Sequence, residues 1–110
     1  MKIALFSDSY APEANGVAMS VRMLHEGLVA RGHDVWVFAP QNPIAQKSEK
    51  QVVRIPSLPI FILPENRMAT PLDPRIMKIV REQKFDIIHV HTEFGVGGFG
   101  FRAHEYYDIP

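Results

Sequence analysis

Two histidines, His89 and His91, lie two positions apart in a short apolar segment and are followed by Thr92 and Glu93. Side chains alternate along a β-strand, so the two imidazoles would share one face of a strand. A neutral imidazole can donate or accept a hydrogen bond near physiological pH. Because His91 would lie at the carboxyl end of this strand, we predict that it meets a ligand there.

The same two histidines could instead hold a zinc ion together with Glu93. No third ligand follows at helical spacing, and packing within a strand is the commoner role for such residues. We therefore predict no metal site.

A second candidate site begins at Asn15, Gly16 and Val17, where a helical pattern follows a loop. Gly16 has no Cβ, so its backbone can approach a ligand closely. The first N–H groups of a helix also favour a phosphate. An ordinary helix cap with a glycine in the turn explains the same residues, so both interpretations stay open at this point.

Gly95, Gly97 and Gly100 form a G-x-G-x-x-G pattern, which is typical of dinucleotide binding when it follows the first strand of a fold. Here the pattern follows the fourth predicted strand, after a spacer. We therefore favour the interpretation that small residues allow a helix to pack closely on the sheet, with an NAD-binding domain as the alternative.

A basic stripe and an apolar run raise the question of membrane contact. The stripe consists of Arg75, Lys78 and Arg81, and the run consists of Ile60, Phe61, Ile62 and Leu63. A solvated helix face explains the stripe alone. Apolar anchors beside cations would suit an anionic membrane surface, so these seven residues are candidates for membrane contact.

Short apolar segments alternate with helical patterns along the chain. The predicted strands cover residues 2–7, 35–39, 52–55 and 86–91. Such alternation predicts an α/β fold, a Rossmann-like parallel sheet with helices on both faces. The first segment is apolar throughout, as expected for a central strand.

Three helices are predicted beside these strands, one after the first strand, one before the fourth and one after the fourth. The buried face of the first is predicted from Val17, Val21, Leu24 and Leu28, with Gly32 as its left-handed cap. The second begins at Asp73-Pro74 and buries Ile76, Ile79 and Val80. The third runs from the glycines to about residue 107. His25 and His104 are predicted to be surface residues.

The composition excludes several classes of protein. The chain has 110 residues, with 12 basic and 12 acidic side chains and no cysteine. A balanced charge argues against nucleic-acid binding, and the lack of cysteine removes disulfides and thiolate chemistry. No apolar run is long enough for a signal peptide or a membrane span. We therefore expect a cytoplasmic protein, or one attached to the inner face of the cell membrane.

Several motifs together resemble a known family, the family-4 retaining glycosyltransferases of the GT-B fold. The matching stretches are Phe6-Ser7-Asp8-Ser9-Tyr10-Ala11-Pro12, Asn15-Gly16-Val17-Ala18, Gly32-His33-Asp34-Val35, Arg54-Ile55-Pro56-Ser57, Pro64-Glu65-Asn66-Arg67 and Asp86-Ile87-Ile88-His89-Val90-His91-Thr92-Glu93-Phe94-Gly95. The last stretch is especially similar to bacterial diacylglycerol glucosyltransferases. The resemblance covers essentially the whole chain.

The resemblance implies two Rossmann-like domains around a cleft, with residues 1–110 as part of the N-terminal, acceptor-side domain. Asn15, Gly16 and Val17 would approach the donor diphosphate. His91 would contact the transferred sugar, stabilising charge rather than acting as a nucleophile. The implied candidates on the acceptor side are Asp8, Tyr10, Thr92 and Glu93. No cofactor is implied beyond the nucleotide sugar as co-substrate.

The expected activity is retaining transfer of a hexose, from UDP-glucose, to a lipid such as diacylglycerol. A GDP-mannose-dependent mannosyltransferase is the near alternative. An NAD-binding oxidoreductase domain and a non-catalytic module that binds a lipid or a protein partner are alternatives from other classes. We expect the C-terminal nucleotide-sugar domain of the family to lie outside residues 1–110, and residues 1–110 alone to be inactive.

Overall fold

A computed structural model describes residues 1–11, 15–40, 51–55, 74–92 and 95–110. Within these residues, one sheet contains β1 (Lys2–Phe6), β2 (Asp34–Pro40), β3 (Val52–Ile55) and β4 (Ile87–Val90). The helices are α1 (Gly16–Ala30), α2 (Pro74–Gln83) and α3 (Gly95–Tyr107). All strand pairs are parallel, and the order across the sheet is β3-β2-β1-β4.

The first strand is central, as the sequence predicted. Its residues Ile3, Ala4, Leu5 and Phe6 are all buried, because β1 has a neighbouring strand on each side and helices over both faces. Leu5 is level with Val37 of β2 and with His89 of β4. The carboxyl ends of these strands therefore meet at one edge of the sheet.

Helices cover both faces of the sheet, which confirms the predicted α/β architecture. On one face, Ile3, Leu5 and Val37 pack with Val21 of α1. On the other face, the core combines strand residues with residues of α2 and α3: Ala4, Phe6, Phe38, Ile76, Val80, Val96 and Ala103. The alternation of side chains along each strand separates these two cores.

An aromatic stack ties β1 to β2 on the α2–α3 face. The Phe6 and Phe38 rings are parallel, with centroids 4.4 Å apart, and Phe85 meets Phe38 edge-to-face at 5.9 Å. Phe6 and Phe38 are both fully buried. Burial of each such side chain contributes about 1.5–3 kcal/mol, so this stack is a main stabilising element of the sheet.

Helix α1 begins and ends with the caps that its sequence indicates, but its buried face is shifted. The side chain of Asn15 accepts a hydrogen bond from the backbone N–H of Ala18, and Gly32 has a φ of +88° after the last turn. The prediction that Val17 belongs to the buried stripe is wrong. Val17 is 39% exposed, whereas Ala18 is 1% exposed and faces the core with Val21.

Helix α2 begins at Pro74, where the fixed φ of proline suits the first helical position. Ile76 and Val80 are buried, and Ile79 is half-buried against the same core. The predicted face of this helix is therefore confirmed. Asp73, its predicted N-cap, lies outside the described residues.

Two glycines bring α3 into direct contact with the sheet. A Cβ on Gly97 would lie 1.6 Å from the backbone oxygen of Thr92. A Cβ on Gly100 would lie 2.8 Å from Val90 Cγ2 and 2.9 Å from Cγ of Phe6. The glycines are therefore required for close packing of the helix, which confirms the favoured interpretation of the glycine pattern.

We expect Gly97→Ala to lower the free energy of unfolding by about 3 kcal/mol, because the new methyl group must displace either the helix or the backbone at Thr92. The matched control is Gly98→Ala, since none of the described residues has an atom within 4 Å of a Cβ at Gly98. That variant should gain about 0.5–1 kcal/mol from helix propensity. Urea unfolding measures both, and equal losses would contradict the close packing.

Candidate functional site

The turns that follow β1 and β4 lie side by side at the carboxyl edge of the sheet. The backbone N–H of Ser7 donates to Phe38 O at 3.0 Å, and that of His91 donates to Phe6 O at 2.8 Å. In open parallel sheets, ligands bind beyond this edge. The two segments predicted to carry chemistry therefore meet where a ligand is expected.

Asp8 and Thr92 join the two turns directly. The backbone N–H of Asp8 donates to Thr92 Oγ1 at 2.8 Å, and the Thr92 hydroxyl donates to Asp8 Oδ2 at 2.5 Å. The other carboxylate oxygen, Oδ1, accepts from the backbone N–H of Val96 at 2.7 Å. One carboxylate thus connects β1, the turn after β4 and the first turn of α3. The contact of Asp8 and Thr92 with an acceptor stays a prediction.

Asn15 belongs to the same edge through Ser9. Its Nδ2 donates to Ser9 Oγ at 2.9 Å, while its Oδ1 lies 3.2 Å from Ser9 Oγ and caps the N–H of Ala18. Ser7 Oγ in turn donates to the backbone oxygen of Ser9 at 2.7 Å. These bonds fix the start of α1 against the end of β1.

Gly16 and Val17 are both exposed at the start of α1. No atom of the described residues lies within 4 Å of a Cβ built on Gly16. The approach of a phosphate to this backbone stays a prediction. The capping by Asn15 is real as well, so the two interpretations of this segment are compatible.

His91 is half-buried beside the exposed His89. His89 Nε2 lies 3.2 Å from His91 Nδ1, so one ring donates a hydrogen bond and the other accepts it. Desolvation by surrounding atoms, and then the charge of His91, lower the pKa of His89 below its ordinary value of 6.5. His89 is therefore mainly neutral at pH 7 and can share a hydrogen bond with His91.

Tyr10 is buried, and its contacts lie inside the domain. Its hydroxyl lies 2.8 Å from His25 Nδ1, and the Arg54 guanidinium lies 5.7 Å from its ring centroid. The prediction that His25 is simply a surface residue is wrong, because the ring is half-buried against Tyr10. His104, by contrast, is exposed as predicted, with its Nδ1 at 2.5 Å from Ile109 O.

Arg54 is a residue whose importance the sequence analysis missed. It lies near the carboxyl end of β3 and donates to Pro40 O at 3.0 Å and to Ala11 O. It therefore holds the end of β2 and the loop after β1 in place. A charged residue among the apolar residues of a short strand is the signal that could have identified it.

The N-terminus of α3 is poorly suited to a pyrophosphate. The carboxylate of Asp8 already accepts the N–H of Val96 and places a negative charge at the positive end of the helix. Gly97 and Gly100 serve helix packing instead. These contacts argue physically against the alternative of an NAD-binding domain.

Metal binding and membrane contact concern residues that the structure covers only in part. Among the described residues, no group of three or more histidine, aspartate or glutamate side chains could hold a metal. Glu93 lies outside these residues. So do Ile60, Phe61, Ile62 and Leu63, whose contact with a membrane stays a prediction.

Arg75, Lys78 and Arg81 are all exposed on α2, as the predicted basic stripe requires. Lys78 lies 4.0 Å from Glu82 in an exposed pair, which contributes little to stability. In the part of the chain that the structure describes, no helix has the length and apolar character needed to cross a bilayer.

A cavity of about 250 Å³ lies between α2 and α3. Its lining residues are Val80, Arg81, Lys84, Phe85, Tyr107 and Ile109. Because Phe85 precedes β4, this cavity lies towards the amino end of the strands. It is therefore remote from His91 and does not belong to the candidate site.

The fold and this site define the class of the protein: a Rossmann-like α/β domain whose ligand edge is built from the turns after its first and fourth strands. Comparison with protein families then identifies the family. Residues 14–110 match the model of Glycosyltransferase Family 4. The chain belongs to this glycosyltransferase family.

Individual relatives support the same assignment. The chain is 36% identical to an alpha-monoglucosyldiacylglycerol synthase of Streptococcus pneumoniae and 35% identical to one of Acholeplasma laidlawii. It is 32% identical to a GDP-mannose-dependent alpha-mannosyltransferase of Corynebacterium glutamicum. Each match covers 100% of this chain but only 25–28% of the relative. The chain thus spans about a quarter of the length of these proteins.

We expect the protein to lose stability on acidification below about pH 6.5, partly through His25. Burial lowers the pKa of His25 below 6.5, against a smaller opposing effect of Glu26. The unfolded chain therefore binds the proton more readily, and the stabilisation present above pH 6.5 is lost as pH falls towards the folded-state pKa. His25→Gln should reduce the slope of unfolding free energy against pH. An unchanged slope in urea titrations would contradict this role.

Proposed function

We propose that the protein containing this chain is a retaining glycosyltransferase that moves glucose from UDP-glucose to a lipid acceptor such as diacylglycerol. The observation that carries this proposal is the meeting of the His91 turn with the turn that leads to Gly16. The hydrogen bonds of Asp8 to Thr92 and of Ser9 to Asn15 hold these turns at one edge. A sugar and the diphosphate attached to it would lie beyond that edge.

His91 is the proposed catalytic residue. Among the described residues, its Nδ1 faces His89 and its Nε2 has no hydrogen-bond partner, so Nε2 is the ring atom available to a ligand. During transfer, positive charge develops on the sugar and negative charge develops on the leaving group. A polar group fixed beside these charges stabilises the transition state more than the ground state. His91 would therefore orient the sugar and stabilise charge.

The start of α1 is the proposed diphosphate site. Asn15, Gly16 and Val17 are all exposed, and Asn15 Oδ1 accepts the N–H of Ala18. Backbone N–H groups and the positive end of the helix dipole favour the negative charge of a phosphate.

The names of the relatives support the choice of sugar and acceptor. Two of them, at 36% and 35% identity, are named for a glucosylated diacylglycerol. The second candidate is mannosyl transfer from GDP-mannose, which the mannosyltransferase at 32% identity favours. The donor nucleotide would be bound mainly by the part of the protein beyond this chain.

The test uses the complete protein with diacylglycerol in mixed micelles and either UDP-glucose or GDP-mannose. We expect glucosylated lipid from UDP-glucose, and His91→Ala should lower kcat about 100-fold because one charge-stabilising polar group is lost. His33→Ala is a control histidine substitution, since His33 lies at the opposite end of the sheet, before β2. Product from GDP-mannose alone would favour the second candidate. Full activity of His91→Ala would exclude the proposed catalytic role.

Close approach of a ligand at Gly16 can be tested separately. Gly16→Ala adds a methyl group where no atom of the residues seen in the structure lies within 4 Å, so the fold should tolerate it. Where a diphosphate approaches, the same methyl group should raise KM for the nucleotide sugar about 10-fold, which equals about 1.4 kcal/mol of binding.

The matched control is Gly27→Ala in the same helix, where the described part of the chain likewise places no atom within 4 Å of the new Cβ. Its KM should equal that of the unsubstituted protein. An unchanged KM in Gly16→Ala would place the diphosphate elsewhere.

A further inference from the structure

The two carboxylate oxygens of Asp8 accept hydrogen bonds from two different segments of the chain. Oδ2 accepts from the Thr92 hydroxyl at 2.5 Å, and Oδ1 accepts from the Val96 backbone N–H at 2.7 Å. Val96 is in the first turn of α3, where backbone N–H groups lack partners within the helix. Hydrogen bonds to an ionised carboxylate are about twice as strong as neutral ones. Asp8 therefore links Thr92 strongly to the first turn of α3.

The residue held between these contacts is His91. On its amino side, its own N–H is bound to Phe6 O at 2.8 Å. On its carboxyl side, Thr92 bonds to Asp8 through both the backbone N–H and the carboxylate of that residue. The backbone around His91 is thus held to the end of β1 from both directions.

Helix α3 also packs directly against the backbone of Thr92. The missing side chain of Gly97 lets the helix contact the backbone oxygen of Thr92. Displacement of Thr92 would therefore also disturb α3, and displacement of α3 would disturb Thr92. The Asp8 carboxylate opposes both movements because it binds Thr92 and Val96 together.

We propose that Asp8 and Thr92 are positioning residues for the transfer reaction. They fix the position of His91 at the carboxyl edge of the sheet, so that its ring can contact the sugar. This inference rests on the function proposed above. It assigns to the two side chains a role in placing another residue rather than in touching the acceptor. A misplacement of about 1 Å at a reacting centre can cost about 100-fold in rate.

The experiment compares four variants of the complete protein. Thr92→Val removes the hydroxyl and keeps the shape, whereas Thr92→Ser keeps the hydroxyl. Asp8→Asn replaces one accepting oxygen by a donor group. Asp86→Asn is the matched control, because Asp86 Oδ2 accepts from the Lys2 backbone N–H at 2.7 Å and so joins the same two strands at their amino ends.

We expect Thr92→Val and Asp8→Asn to lower kcat about 10- to 100-fold, with little change in KM for the nucleotide sugar, because His91 is misplaced but the donor site is intact. Thr92→Ser should restore most of kcat. Asp86→Asn should keep kcat even where it lowers the thermal midpoint. This pattern separates positioning from a general loss of stability.

A structural measurement accompanies the kinetics. In protein labelled with ¹⁵N-valine, the Val96 amide signal should shift in Asp8→Asn, since its acceptor changes. Loss of the ordered fold in Asp8→Asn would leave the Thr92→Val and Thr92→Ser pair to decide the question.

Two results would overturn the inference. One is a Thr92→Val variant with unchanged kcat while His91→Ala is inactive, which leaves the proposed function standing and removes only the positioning role. The other is an equal loss of kcat in Asp86→Asn and Asp8→Asn. A fully active His91→Ala, in contrast, would show that the proposed function itself is wrong.

Discussion

Parallel pairing of β1 with both β2 and β4 is the constraint on which the rest of the structure depends. It places β1 in the centre of the sheet and brings the ends of all its neighbours to one edge. Within the described residues, the turn after β1 then lies beside the turn after β4. The bonds from Asp8 to Thr92 and from His91 to Phe6 follow from this arrangement.

The same edge combines stability with the proposed chemistry. Asp8 satisfies a helix N–H that would otherwise lack a partner, and Asn15 does the same for α1. Two helices therefore start at the edge where a ligand would bind, but in different ways. The start of α3 is closed by a carboxylate and close packing, whereas Gly16 leaves the backbone of α1 open. The start of α3 thus supports the edge of the sheet, whereas the start of α1 is accessible from outside.

Much of the fold could be read from local patterns. The apolar run of β1, the cap at Asn15, the glycine after α1 and Pro74 at the start of α2 are each encoded by neighbouring residues, because strand burial, caps and helix starts depend on local chemistry. The buried face of α1 was misjudged by one position. Val17 and Ala18 are both apolar, and the direction of the helix against the sheet decides which of them is covered.

By itself, the sequence determined the α/β class, the family resemblance and the two segments that carry the candidate site, because hydrophobic periodicity and short motifs are properties of adjacent residues. Only the tertiary structure decided that Asp8 binds Thr92 and Val96, that Tyr10 turns inward to His25, and that Arg54 holds the loop after β1. These contacts join residues up to 88 positions apart. No local pattern encodes them, because they depend on which strands are neighbours in the sheet.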